Sequence, residues 1–111
     1  MLTQELKSKE VFMEIRIQSI HFDATERLET FIQKKVSKLE QFYDGIISAE
    51  VALRVIKPET VQNKQAGIRL VIKNNDCFAE KISDTFEEAV DDAVVALEKQ
   101  LIKVKEKSRT K

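Results

Sequence analysis

From Met13 the chain alternates, with Met13, Ile15 and Ile17 on one side and Glu14, Arg16 and Gln18 on the other. A period of two residues is that of a strand with one face buried, so a first strand is expected from Met13. The period then lengthens. Leu28, Phe31, Ile32, Val36, Leu39 and Phe42 recur at the spacing of an amphipathic helix. That helix is expected from about Thr25 to about Phe42. Asp23 or Thr25 can cap it, Asp23 with Glu26 having capping-box spacing, and Asp44-Gly45 ends it. Alternation returns in Val51, Leu53 and Val55, a second strand that Pro58 stops, with a loop over KPETVQN. Ile68, Leu70 and Ile72 form a third. Asn74-Asn75-Asp76 is a tight turn, because Asn tolerates positive φ. A short fourth strand near Cys77–Ile82 then completes a hairpin. Thr85 with Glu88 offers a second capping box, opening a last helix that runs to about Lys107. Phe86, Ala89, Val90, Ala93, Val94, Leu97, Leu101 and Val104 share its apolar face, while Val95 and Ile102 fall on its polar side.

The order β-α-β-β-β-α predicts an α+β fold, one four-stranded sheet with two helices packed on one face, since that arrangement buries every stripe. The 111 residues fit one domain, expected over residues 13–111. Residues 1–12 show no firm period and read as a flexible N-terminal arm. Met13 could itself be a start codon, which would make the arm an upstream extension.

Charge changes the picture. Lys and Arg number 19 and so do Asp and Glu, and a net charge of zero taken alone argues against a nucleic-acid binder. The distribution says otherwise. Over 76–92 seven acids stand against one base, Lys81, and over 99–111 six bases stand against one acid, Glu106. Acids in the first turns of a helix and bases in the last complement its dipole, and a local field attracts a polyanion even where the total cancels.

Catalytic chemistry is sparse. His21 is the single histidine and Cys77 the single cysteine, so neither an intrachain disulfide nor a zinc-type ligand cluster can form. A Cys77–His21 nucleophile pair is the one enzymatic arrangement the composition permits, and nothing beside either residue suggests an activating environment. Beside Phe78, Cys77 reads as a small buried hydrophobe. Gly45 and Gly67 stand alone, which excludes a glycine-rich phosphate loop. The carboxylates of 84–92 are explained by their helix N-terminus. No enzyme, metal or other cofactor is expected. No apolar run approaches a membrane span and the N-terminus lacks a signal-peptide core, so a cytoplasmic protein without a membrane partner is expected.

What remains is basic. Lys99, Lys103 and Lys107 are four apart and line one side of the last helix, with Lys105 and Arg109 elsewhere on its circumference. Lys34 and Lys38 are spaced likewise on the first helix, and Lys35 sits at the edge of its apolar stripe. A single run of charge is ordinarily a solvated face; two helices that both end in clustered lysines give weight to nucleic-acid binding. The sheet face opposite the helices is expected to carry Arg16, Arg54, Arg69 and Lys73 without an aromatic pair on the central strands. Lysine-rich helices without stacking aromatics point to backbone and shape reading of folded RNA.

Three stretches carry a resemblance to a known family: residues 25–44, TERLETFIQKKVSKLEQFYD; residues 48–57, SAEVALRVIK; and residues 84–107, DTFEEAVDDAVVALEKQLIKVKEK. Together they resemble the short ribosome hibernation-promoting factors, also called ribosome-associated translation inhibitors, over roughly Met13 to Lys107. The resemblance implies a fold similar to double-stranded-RNA-binding domains. It implies small ribosomal subunit and ribosomal RNA as partners, binding in the decoding groove across the tRNA and mRNA positions, and a block to translation by occupancy. It implies that Lys35, Lys38, Lys99, Lys103, Lys105 and Lys107 contact RNA phosphates, and Gln100 matches the family as well. No small-molecule substrate or DNA is expected. The chain departs from the pattern at Ala96, where many relatives carry a base, at Glu98, and in residues 1–12. It also lacks the C-terminal dimerisation domain of the long members, so ribosome pairing would need another factor. The alternative is a protein-interaction module that uses Val95, Ile102 and the acidic start of the last helix.

Overall fold

The computed structural model describes residues 14–20, 22–43, 45–56, 62–73 and 76–109, with side chains through Glu106. The elements are β1 (Glu14–Ile20), α1 (Glu26–Ser37), a 3₁₀ turn (Lys38–Gln41), β2 (Ile46–Val55), β3 (Lys64–Ile72), β4 (Asp76–Ser83) and α2 (Phe86–Arg109). They form one sheet of order β1-β2-β3-β4, with β1 parallel to β2 and the other pairs antiparallel. This is the βαβββα arrangement expected, with both helices on one face. The arm, Met13, His21, Pro58 and its neighbours, and Asn74-Asn75 lie outside the described residues.

The helix starts follow the capping logic with one choice resolved. Thr25, not Asp23, caps α1: the Leu28 N–H donates to Thr25 Oγ1 at 3.1 Å. At α2 the Glu88 N–H donates to Thr85 Oγ1 at 3.1 Å, but the Glu88 carboxylate accepts from the Ser83 hydroxyl at 2.8 Å. The box is thus half local, and its other half ties the helix to the end of β4. The first helical stretch ends in two steps: α1 stops at Ser37 and a 3₁₀ turn continues to Gln41, keeping Leu39 fully buried.

Alternate residues of every strand point into the core. Ala49, Val51 and Leu53 of β2, Ala66, Ile68 and Leu70 of β3, and Cys77 and Ala79 of β4 are buried against Ile32 and Val36 of α1 and Val90, Leu97 and Leu101 of α2. Each large aliphatic side chain so buried contributes about 1.5–3 kcal/mol.

Strand directions decide how the two helices lie. β4 is antiparallel to β3, hence parallel to β1 and β2. Each helix runs back against the strand that precedes it, so α1 and α2 run in the same direction. Two contacts fix this. Phe22, just after β1, stacks on Phe86, the first residue of α2, with ring centroids 4.9 Å apart. Gln100, deep in α2, meets Phe78 near the start of β4.

Candidate functional site

Because the helices run alike, both start toward one end of the molecule and run toward the other, α2 for twice the length of α1. One pole of the molecule gathers the helix starts, with Glu26 and Glu29 in the first turn of α1 and Glu87 and Glu88 in that of α2, while Asp91 and Asp92 lie a turn further along α2, level with the last turn of α1. The opposite pole gathers the helix ends, with Lys34 and Lys38 on the first and Lys99, Lys103 and Lys105 on the second, all exposed. Lys107 lies on the last turns of α2 by its backbone. Lys73, expected on the sheet face, is exposed just past the end of β3. Since β3 runs against its neighbours, it ends at the basic pole, so Lys73 joins the helix lysines there; only strand direction could have revealed it.

The lysines are not equivalent. Lys35 is half-buried, its Nζ 3.0 Å from Asp91 Oδ1 and 5.7 Å from the centre of the Phe31 ring. It is a cross-helix tie that already holds a carboxylate. Lys34, Lys38, Lys99, Lys103 and Lys105 have no ion-pair partner among the described residues. At about 100° per residue, Asp91 and Gln100 lie on opposite flanks of α2, one facing α1 and the other the edge of β4. Lys103 falls between the outward ridge and the β4 flank, and Lys105 on the α1 flank. Val95 and Ile102 share the outward ridge with Lys99, 45% and 43% exposed.

Past Gln100 the helix outruns the sheet. Gln100 is level with Phe78, beyond which β4 continues for about 7 Å, whereas α2 continues for about 14 Å. The last turns therefore project past the sheet, and Lys103 and Lys105 are exposed there.

The opposite face of the sheet has a different character. Arg16, Arg54 and Arg69 do stand on it, around a shallow hollow of about 700 Å³ floored by Ala52 and Gly67. Arg69 is held by Asp76, its Nη2 2.9 Å and its Nε 3.1 Å from Oδ2, with Glu50 at 3.8 Å. The hydrogen bond to Asp76, its charge and that of Glu50 raise the Arg69 pKa above its ordinary value, so this guanidinium is committed to its neighbours. Arg16 lies 3.4 Å from Glu14. Glu80 adds a further acid. Acids thus offset these cations, and the sheet does not extend the basic pole. Phe78 escaped sequence reasoning: it is 52% exposed on this face, on the edge strand. Its ring lies over Gly67, where a Cβ would meet it at 3.5 Å, a common way of covering a strand glycine.

Gln100 has a geometry no periodicity foretells. Its Nε2 donates to the Phe78 carbonyl at 2.9 Å, and its Oε1 accepts from the Phe78 N–H at 3.2 Å. Cys77 is 4% exposed, and burial, with a smaller contribution from the Asp76 charge, raises its thiol pKa. That is the reverse of what a nucleophilic cysteine needs. No helix among the described residues is long and apolar enough to cross a membrane.

Comparison with known proteins agrees with this architecture. Residues 15–109 match the family model described as sigma 54 modulation protein / S30EA ribosomal protein. Over 95 residues the chain is 28% identical to a ribosome hibernation promoting factor of Azotobacter vinelandii, covering 86% of this chain and 85% of that protein. Among solved structures, a ribosomal subunit interface protein from Coxiella burnetii superposes with a TM-score of 0.75 at 22% identity, covering 84% of this chain and 98% of that one. The N-terminal domain of Protein Y from Thermus thermophilus superposes with a TM-score of 0.71 at 21% identity, covering 85% and 99% respectively.

Proposed function

The chain belongs to the sigma 54 modulation protein / S30EA ribosomal protein family, and from that membership we propose that it is a ribosome-associated hibernation factor of the cytoplasm, binding ribosomal RNA of the small subunit. Residues 13–111 act as a single ribosome-binding domain. Its seat is the decoding groove, where tRNA and mRNA otherwise lie, and it blocks translation by occupancy, without catalysis or a cofactor. The observation that carries this reading is the parallel run of α1 and α2, which directs the lysine-bearing ends of both helices toward one pole, where Lys34, Lys38, Lys99, Lys103 and Lys105 have no ion-pair partner among the described residues. Lys34, Lys38, Lys99, Lys103, Lys105 and Lys107 contact phosphates there, and Lys35 adds a cation already shared with Asp91. Phosphate contacts of this kind position a protein on folded RNA without reading bases, and the lack of an exposed aromatic pair among the described residues of the sheet accords with that mode.

The direct test is sedimentation of the purified protein with small ribosomal subunits in a sucrose gradient. The wild-type chain is expected to travel with the subunits at low salt. Replacing Lys99, Lys103 and Lys107 by Glu is expected to release it to the top of the gradient while far-UV circular dichroism stays unchanged. Unaltered co-sedimentation of that variant would reject the assignment of this pole. A second reading is favoured by the exposure of Val95 and Ile102: a protein partner seated on the outward ridge of α2. Its mark is binding that ignores salt and requires no RNA.

A further inference from the structure

Gln100 stands next to Lys99 and one turn before Lys103, and its carboxamide makes both of its hydrogen bonds to one residue of the edge strand, Phe78. An amide that accepts from a backbone N–H and donates to the carbonyl of the same residue reproduces a rung of an antiparallel ladder. The side chain thus acts as a one-residue strand at the free edge of β4 and satisfies polar groups that would otherwise invite another chain.

Its position along α2 gives this contact a second consequence. Up to Leu97 the helix is seated by a dense row of buried residues: Phe86, Ala89, Val90, Ala93, Val94 and Leu97. Beyond it, among the side chains described through Glu106, only Leu101 is buried and Val104 partly so, and this is the stretch that carries Lys99, Lys103 and Lys105. Apolar contact is non-directional and leaves a helix free to roll on its seat. Hydrogen bonds at 2.9 and 3.2 Å to a fixed backbone are directional. They set the rotation of the helix where apolar anchoring thins.

We propose that Gln100 is a positioning residue for the basic pole: by clamping α2 to the edge of β4 it fixes the direction in which Lys99 and Lys103 present their ammonium groups to RNA. The proposal rests on the RNA-binding reading above and names a residue that serves it without touching RNA. Gln100 has the flank of α2 that faces the sheet edge, so its contribution passes through the orientation of its neighbours.

The test uses the full chain carrying Gln100→Met, which keeps the side-chain length and removes both hydrogen bonds. Amide hydrogen exchange and residual dipolar couplings report the clamp. Phe78 N–H is expected to exchange at least about tenfold faster, and the couplings of residues 99–106 are expected to reorient relative to those of the sheet. Binding to small subunits, measured from 50 to 200 mM salt, reports the consequence. A loss of one or two phosphate contacts lowers the salt slope by about 0.8 to 1.6, so that the wild type loses about three- to ninefold more affinity than the variant across that range. A purely structural role would leave the slope of the folded protein unchanged. Gln100→Glu supplies a second variant. Its ionised carboxylate keeps the acceptor and loses the donor, and acidification that protonates it should return the couplings toward those of the wild type. Lys99→Ala with Lys103→Ala is measured alongside. Weakened binding of the lysine variant with wild-type binding of Gln100→Met overturns the positioning role and leaves the RNA-binding reading intact. Wild-type binding by both overturns the reading itself and the proposal with it.

Discussion

Replacing Lys99, Lys103 and Lys105 together by Ala isolates the electrostatic claim. All three are exposed and lack an ion-pair partner among the described residues, so the fold should barely respond. Surface changes of this kind stay within about 0.5 kcal/mol each, and the urea midpoint is expected to hold. Binding should respond strongly. Each lost phosphate contact removes about 0.7 to 0.9 from the slope of log affinity against log salt, so three remove about 2.1 to 2.7. Over a fourfold rise in salt, from 50 to 200 mM, the wild type then loses roughly 20- to 40-fold more affinity than the variant, because it has more counterions to recapture. Lys35 supplies the internal control. Its ammonium group, 3.0 Å from Asp91, is already partly neutralised, so Lys35→Ala should lower the slope less than Lys99→Ala does. Asp91→Asn should raise the slope, at a stability cost of about 0.2–1 kcal/mol for an ion pair open to solvent. The assay is co-sedimentation or fluorescence anisotropy with small subunits at five or more salt concentrations. A triple variant that keeps the wild-type slope, or a Lys35→Ala effect equal to that of Lys99→Ala, would refute the reasoning.

Three further outcomes follow from packing and titration. Leu97→Ala removes a fully buried side chain between α2 and the sheet and should cost about 2–5 kcal/mol in urea unfolding; a loss under 1 kcal/mol would mean that the site collapses or is poorly packed. Thr25→Ala deletes the hydroxyl that accepts from Leu28 N–H at 3.1 Å and should cost about 1 kcal/mol, whereas Asp23→Ala should cost less, because the cap is Thr25. The thiol of Cys77, its pKa raised by burial, should alkylate far more slowly in the native protein than in urea at pH 8. Since the folded state holds this proton more tightly than the unfolded one, the associated stability is intact below the ordinary thiol pKa. It declines as pH climbs from there through the raised value. Cys77→Ala should flatten the alkaline fall in the unfolding midpoint, and an unchanged fall would assign it to other groups.

Local pattern determined most of the architecture. Alternation marks a strand and a three-four stripe marks a helix because a buried face must recur with the geometry of its backbone, and Val51, Leu53, Ile68, Leu70, Ile32 and Leu97 all obey it. Both helix starts were legible for the same local reason: a hydroxyl two or three residues ahead of an orphan N–H can reach it. The identity of the basic residues was equally plain, as was their place at helix ends.

The relations between elements were decided only in three dimensions. Nothing local tells a capping hydroxyl at Thr25 from a carboxylate at Asp23; the approach of the chain from β1 does. That α1 and α2 run the same way follows from the parallel β1–β2 pairing and the β3–β4 hairpin, and only this converts two lysine runs into one pole and adds Lys73 to it. That Lys35 is tied to Asp91, distant in sequence, depends on which flanks of the helices meet. The Gln100–Phe78 clamp and the exposure of Phe78 over Gly67 depend on which residues fall level across the sheet edge. Periodicity reports which side of an element is buried, because burial acts on each residue along its own backbone. Partner, direction and distance arise from long-range packing, and they are what turn a neutral chain into a molecule with one basic end.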